Sequence, residues 1–461
     1  MILTTTRTLK KIPKDYTEGP ILASILKMGT PSMIGFVAGH IYYMVDMWWL
    51  ARLPASETAV AAVTIFSNVA WVFFSINQLI GPGSVAIISR RYGEKRFEHA
   101  AAAIKETFLL KWLSGLIFGM LGLYFVEDIV YIAGARGEAL TLAVGYGRVM
   151  FIGLAFSLST FSVYTAMRGV ANPNLAMGIM IGSTILNVIL DPLFIFGYLG
   201  FPKLGVTGAA VASVISYSVT FLVGVGLFFT GITNVRLKFL GNVAMSLNSM
   251  KQIIKIGIPS WFSGMSFSGA RFVIMPMIAV FGNSVIAAYG IGMQVTAIGM
   301  SVLVGIGLGL AALIGHNLGS GKKERARKTA NQALLFDIGV MGTLSILIFI
   351  FAEQIMGIYF DSPETIGYGA ELLRILAISF PFIGIFLTLE NIYVGVGMNT
   401  PAMVVSVCHS WLLQIPAIFI LTKVFGFDQN GVWWAMTVTI SISSSAFYLY
   451  FRRGQWLLAQ V

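Results

Sequence analysis

Twelve stretches of this chain stay apolar for 20 residues or more, and that recurrence leaves few folds open. They run from Ile21 to Leu50, Thr58 to Ile88, Glu106 to Val126, Leu140 to Met167, Asn174 to Phe196 and Gly205 to Thr230. The series continues with Ile254 to Phe281, Val285 to Leu313, Asn331 to Ala352, Ile366 to Val394, Pro401 to Val424 and Val432 to Phe451. About 20 helical residues cross a hydrocarbon layer of about 30 Å. Inside that layer every backbone N–H and C=O must be paired within the chain, so each stretch reads as a membrane-spanning helix. With 57% hydrophobic and 11% charged residues, a soluble globular domain is excluded.

The spans fall into two copies. Lys27-Met28-Gly29-Thr30-Pro31-Ser32 returns as Lys255-Ile256-Gly257-Ile258-Pro259-Ser260, Gly169-Val170 returns as Gly395-Val396, and Gly205-Val206 returns as Gly431-Val432. An offset held between 226 and 228 residues over the whole chain marks two halves of six spans with one topology. Such a parallel repeat places its pseudo-twofold axis along the membrane normal. The expected organisation is a tail over 1–20, an N-lobe over 21–231, a linker over 232–250, a C-lobe over 251–453 and a second tail over 454–461.

The net charge of +11 is topological. Lys and Arg gather in the first tail, at Arg90, Arg91, Lys95 and Arg96, between Arg236 and Lys255, from Lys322 to Lys328, and at Arg452 and Arg453. All lie in termini or even-numbered loops. The positive-inside rule then puts both termini in the cytoplasm of a multi-pass plasma-membrane protein. The same charges suit anionic lipid headgroups and give no nucleic-acid footprint. Short connections leave no room for a nucleotide-binding domain, and no ATPase-type phosphate loop is present. The lone Cys408 rules out an internal disulfide, and no His-rich or nucleophile motif suggests an enzyme.

Two acids stand out within the apolar spans. Asp46 lies in the first, and Asp191 in the fifth, where Asn187 shares its helix face four residues earlier. Their repeat counterparts are Ile274 and Ala417, so the acids are not a packing feature of both halves. Each costs about 2.5–3.5 kcal/mol at the bilayer centre. A proton or cation shared by both carboxylates would offset that, and oxygens from Asn187 and a hydroxyl would suit Na⁺ as well as H⁺. The plainer alternative is one buried hydrogen bond per acid, to Tyr42, Tyr43 or Ser183. Glu390 on the tenth span either faces a central cavity or pairs with Arg271 on the seventh. Asp337 on the ninth has no evident partner and is expected near the cytoplasmic end.

The run Asn187-x-x-x-Asp191-Pro192 follows Arg168-Gly169 and Asn172-Pro173 and precedes Gly205-Val206-Thr207-Gly208-Ala209-Ala210. Together with Pro31 and Asp46, it resembles the multidrug and toxic compound extrusion (MATE) family. The resemblance is nearest to the prokaryotic branch related to the DNA-damage-inducible protein F, and it covers essentially the whole chain. It implies an all-α polytopic membrane protein of twelve helices in two pseudo-twofold related six-helix lobes. It also implies a cation- or proton-coupled antiporter that exports amphipathic, cationic compounds by alternating access, working as a monomer with no cofactor beyond H⁺ or Na⁺.

By resemblance the coupling-ion site comprises Asp46, Asn187, Asp191, Tyr42 and Ser213, the first three being the expected ligands if the ion is Na⁺. Ser213 stands where related members carry Thr, and Tyr43 where they carry a polar amide. Tyr43, Tyr164, Met180, Tyr217 and Glu390 are the expected cavity residues, with Pro31 and Gly35 the hinge of the first helix. A flippase for lipid-linked precursors is the alternative within the wider superfamily.

Overall fold

The computed structural model describes residues 15–53, 56–238 and 243–459. The start of the expected first tail, residues 239–242 of the linker and residues 460–461 of the second tail lie outside the described residues.

Every regular element among the described residues is helical. The first half comprises α1 (Ile21–Leu50), α2 (Ser56–Phe74), α3 (Ile76–Gly93), α4 (Phe97–Tyr124), α5 (Val126–Ile132), α6 (Gly137–Ile152), α7 (Leu154–Gly169), α8 (Pro173–Phe196) and α9 (Val206–Thr230). The second comprises α10 (Leu247–Ala279), α11 (Asn283–Gly319), α12 (Lys323–Ile350), α13 (Ala352–Gly357), α14 (Pro363–Val396), α15 (Thr400–Val407), α16 (Ile415–Phe419) and α17 (Gln429–Arg452). The short helices α5 and α13 begin at Val126 and Ala352, equivalent places of the repeat.

Two stretches that read as single spans are broken. The second is the pair α2–α3, bent by 41°, and the fourth is α6–α7, bent by 55°. Gly153 marks the second break, where a Cβ would overlap the Val214 side chain of α9. The eleventh span also departs from a plain α-helix, since π-turns over 408–414 and 420–424 flank α16. Pro416 in that span has no N–H to give, which removes one α-type backbone bond and favours a local change of pitch.

The halves meet through two contacts related by the repeat. A Cβ on Gly257 of α10 would overlap the Leu79 carbonyl of α3, and one on Gly83 of α3 would overlap the Ile253 carbonyl of α10. In the other copy, a Cβ on Gly29 of α1 would come within 3.1 Å of the Ile306 Cα of α11, and Gly309 of α11 lies against the Met28 carbonyl of α1. Glycine is what lets these backbones approach, the usual device for joining helices in a solvent as apolar as their own side chains.

All of these contacts lie toward the end of the bundle that carries the basic loops. There the Ser320 hydroxyl donates to the Gly93 carbonyl at 2.8 Å, and the His316 ring lies 2.6 Å from the Gly169 carbonyl. A strap over residues 15–19 crosses the same end. Lys322 donates to the Thr17 hydroxyl at 2.9 Å, and Arg325 to the Gly19 carbonyl at 2.9 Å. Beneath it, buried Glu106 of α4 accepts from the Ser246 N–H at 2.8 Å and the Ser249 hydroxyl at 2.5 Å, with Arg91 at 3.8 Å. That cluster ties the start of α10 to the first half.

Candidate ion-binding site

The site is assembled by α1, α8 and α9 at the depth of the apolar layer. On α8, Asn187 and Asp191 share a face and both are fully buried, and the Asn187 amide donates to Asp191 Oδ1 at 3.1 Å. On α1, Tyr42 and Asp46 are likewise one turn apart and turn toward α8 and α9. The Asp46 carboxyl, 5% exposed, lies against the Asp191 carboxyl and the Asn187 side chain. On α9, Ser213 accepts a hydrogen bond from the Tyr42 hydroxyl at 2.5 Å, and the Tyr217 ring sits 6.0 Å from that of Tyr42. All five residues expected at the site therefore meet.

Three buried oxygens in this group, Asp46 Oδ1, Asn187 Oδ1 and Asp191 Oδ2, accept no hydrogen bond from any described residue. Carboxylates only accept. Two of them can share a hydrogen bond only if one holds a proton, and otherwise the pair needs a cation. The oxygens of Asp46, Asn187 and Asp191 supply hard ligands of the kind Na⁺ takes, and the same pair can hold one H⁺ between its members. Of the three hydroxyls in the single-hydrogen-bond alternative, Tyr42 gives its proton to Ser213 and not to an acid.

The expected cavity residues separate. Tyr164 is 5% exposed and its hydroxyl lies beside Ser183. Met180 packs against Gly35, whose Cβ would come within 2.7 Å of the Met180 sulfur. Tyr217 lies beside Tyr42 at the ion site with the two rings tilted, whereas Tyr43 is 46% exposed. Pro31 lies within α1, which runs unbroken from Ile21 to Leu50.

Two expectations about the second half need correction. Glu390 and Arg271 do not pair: neither forms an ion pair among the described residues, because Glu390 is half-buried on α14 while Arg271 is exposed on α10. Asp337 is not a free acid at a helix end. It is 1% exposed and bonded to Thr388 of α14. Lys111 of α4 escaped notice altogether, although a lysine inside Leu109-Leu110-Lys111-Trp112-Leu113 was a visible signal.

Fold and site together define a polytopic helical membrane protein of two six-span lobes related by an internal repeat, with a paired-carboxylate centre between α1 and α8 of the first lobe. The family model MatE matches residues 31–193 and 259–420, and the chain belongs to that family. It is similar to the probable multidrug resistance protein YoeA of Bacillus subtilis (strain 168), 26% identical over 92% of this chain and 91% of that protein. A further relative is the multidrug export protein MepA of Staphylococcus aureus (strain MRSA252), 26% identical over 94% of this chain and 93% of that one.

Among solved structures, one described as MATE in complex with MaD3S superposes with a TM-score of 0.87 at 23% identity, covering 96% of this chain and 98% of that chain. Another, an outward-facing multidrug resistance MATE family transporter of the MOP superfamily, gives a TM-score of 0.86 at 24% identity, covering 96% and 98%. These likenesses establish the twelve-span, two-lobed fold.

Proposed function

We propose that this chain exports amphipathic, cationic small organic compounds in exchange for H⁺ or Na⁺, the ion binding among Asp46, Asn187 and Asp191 with Tyr42 and Ser213 beside it. The observation that carries the reading is the convergence of three buried, unpartnered oxygens at one point of the N-lobe. Left as bare carboxylates, the two acids would cost roughly 5–7 kcal/mol in the bilayer, so an ion there changes the energy of the surrounding helices. The names of the relatives, multidrug resistance and multidrug export, support the substrate class. Glu390, half-buried and in no ion pair among the described residues, supplies a negative charge that suits a cationic substrate.

In this reading the protein lies in the plasma membrane with both termini cytoplasmic. The basic loops contact anionic lipid, and one chain works alone with no cofactor beyond the coupling ion. The end closed by the glycine contacts is then the cytoplasmic one. Ion binding neutralises the Asp46–Asp191 pair and allows α1 to rearrange around Pro31 and Gly35. Substrate and ion exchange because each favours a different conformation.

The test is efflux from proteoliposomes under an imposed pH or Na⁺ gradient, in wild type, Asp46→Asn and Asp191→Asn. The reading expects one gradient to drive efflux and both substitutions to abolish it. Gradient-driven efflux that survives in both variants would move the coupling site elsewhere. If neither gradient moves any organic cation, a lipid-linked substrate becomes the better account.

A further inference from the structure

Each half buries one ionisable side chain at the same place of the repeat, and the two are of opposite kind. Lys111 on α4 and Asp337 on α12 are 226 residues apart in sequence, and each is 1% exposed. The Lys111 ammonium nitrogen donates to Asn77 Oδ1 of α3. Asp337 meets Thr388 of α14 through Oδ2, while its Oδ1 accepts no hydrogen bond from any described residue.

The hydrogens available around this acid can be counted. The Thr388 hydroxyl touches two oxygens, Asp337 Oδ2 and the Gly384 carbonyl at 2.8 Å. A hydroxyl has one proton to give. Threonine on a membrane helix commonly returns that proton to the carbonyl four residues back, and the Gly384 contact has that geometry. With the Thr388 proton on Gly384, the contact to Asp337 Oδ2 takes its hydrogen from the acid. Were Asp337 ionised, it would sit buried with at most one shared donor, a strongly unfavourable state for a charge in a medium of low dielectric.

Among the described residues no counter-charge relieves it. The elements packed on α12 are α1, α11, α13, α14 and the short turn over 455–458. Their ionisable groups with described side chains include Lys27 and Asp46 on α1, His316 on α11 and Glu353 on α13. On α14 they are Glu364, Tyr368, Glu371, Arg374, Glu390 and Tyr393. None of these forms an ion pair or hydrogen bond with Asp337. Glu390 is two residues past Thr388, a spacing that turns it to a different face of α14.

We propose that Asp337 and Thr388 form a second proton-binding site, in the C-lobe, with Asp337 holding the proton and donating it to Thr388, whose own proton goes to the Gly384 carbonyl. Binding is a simple protonation, one carboxylate and one H⁺ giving one carboxylic acid. The site is distinct from the Asp46–Asp191 pair, lies in the other half of the chain, and stands whichever ion that pair takes.

Infrared spectroscopy of the full-length protein in lipid at neutral pH reads this directly, through the carbonyl stretch of protonated carboxylic acids. The Asp337→Asn variant is expected to lose one component of that band, and an Asp46→Asn/Asp191→Asn double variant to retain it. Thr388→Val is expected to keep the component but shift it to higher frequency, because the acid loses its acceptor. Loss of ionised-carboxylate intensity in Asp337→Asn, with the acid band untouched, overturns the proposal. If Asp337→Asn fails to fold, Thr388→Val decides alone, and an unshifted acid band overturns it. Loss of transport in the double variant leaves this assignment unaffected, so the two readings fail separately.

Discussion

Tyr42 on α1 donates its hydroxyl proton to Ser213 on α9 across 2.5 Å, joining helices whose bonded residues are 171 positions apart. The bond fixes the side of α1 that carries Asp46, one turn further along. Tyr42→Phe or Ser213→Ala removes it at a cost of about 1 kcal/mol, close to fivefold in an equilibrium. Thermal unfolding in detergent should show a small loss, while the ion concentration giving half-maximal efflux should rise several-fold. Ser213→Thr keeps the oxygen and should behave as wild type.

The Asn187 amide donates a hydrogen bond to Asp191 Oδ1. Replacing it with Ala leaves a buried acceptor unserved, at about 1–3 kcal/mol. The expected outcome is a stable protein whose melting temperature no longer rises with the coupling ion. Titration of wild type and variant with Na⁺, and separately with acid, measures this.

Glu106 holds the start of α10 to the first half through Ser246, Ser249 and Arg91. Truncation to Ala strips three partners at once and should destabilise by about 3–5 kcal/mol, the range for breaking a buried charged pair. Glu106→Gln keeps the shape and should cost distinctly less. Chemical denaturation followed by tryptophan fluorescence separates the two.

Gly257 has no space for a larger residue against the Leu79 carbonyl. Gly257→Val must push α3 and α10 apart, so the closed end of the bundle should loosen. Spin labels placed on the basic loops of the two lobes should report longer and broader distances than in wild type. The same substitution at Gly264, which faces open space on the same helix, should leave them unchanged.

Asp15 in the strap offers a pH test outside the membrane. Burial pushes its carboxyl up, but the Thr17 N–H and hydroxyl, at 2.8 and 2.7 Å, with the charges of Lys322 and Lys95, bring it below its ordinary value of 3.8. A carboxyl depressed on docking stabilises the strap above its free value and loses that contribution as pH falls through the docked one. Limited proteolysis near residue 15 should therefore be faster in Asp15→Asn than in wild type at neutral pH. The difference should vanish once both are acidified below the docked value.

Much of the candidate site was legible because its signal is local. Asn187 and Asp191 are four apart on one helix, and a helix puts such residues together whatever surrounds it. Asp337 was legible too, as a charge in an apolar run, whereas Lys111 was missed, and no spacing rule says which hydroxyl or amide each will meet. Thr388 is 51 residues from Asp337, and Asn77 is 34 from Lys111. The breaks at Ser75 and Gly153 were hidden because both halves of each broken span are apolar, and hydropathy does not register a bend.

The sequence alone determined the class, the span count, the internal repeat, the placement of the basic loops and the presence of two acids inside apolar spans. Each follows from apolar length, from charge placement or from a fixed offset, and none depends on how the helices are rotated. Only the tertiary structure decided that Asp46 meets Asp191, that Tyr42 serves Ser213 and not an acid, and that Glu390 and Arg271 stay apart. Those outcomes turn on helix rotation and crossing. Glycine contacts such as Gly257 on Leu79 and Gly29 on Ile306 set both, through packing that hydropathy and spacing along one helix do not encode.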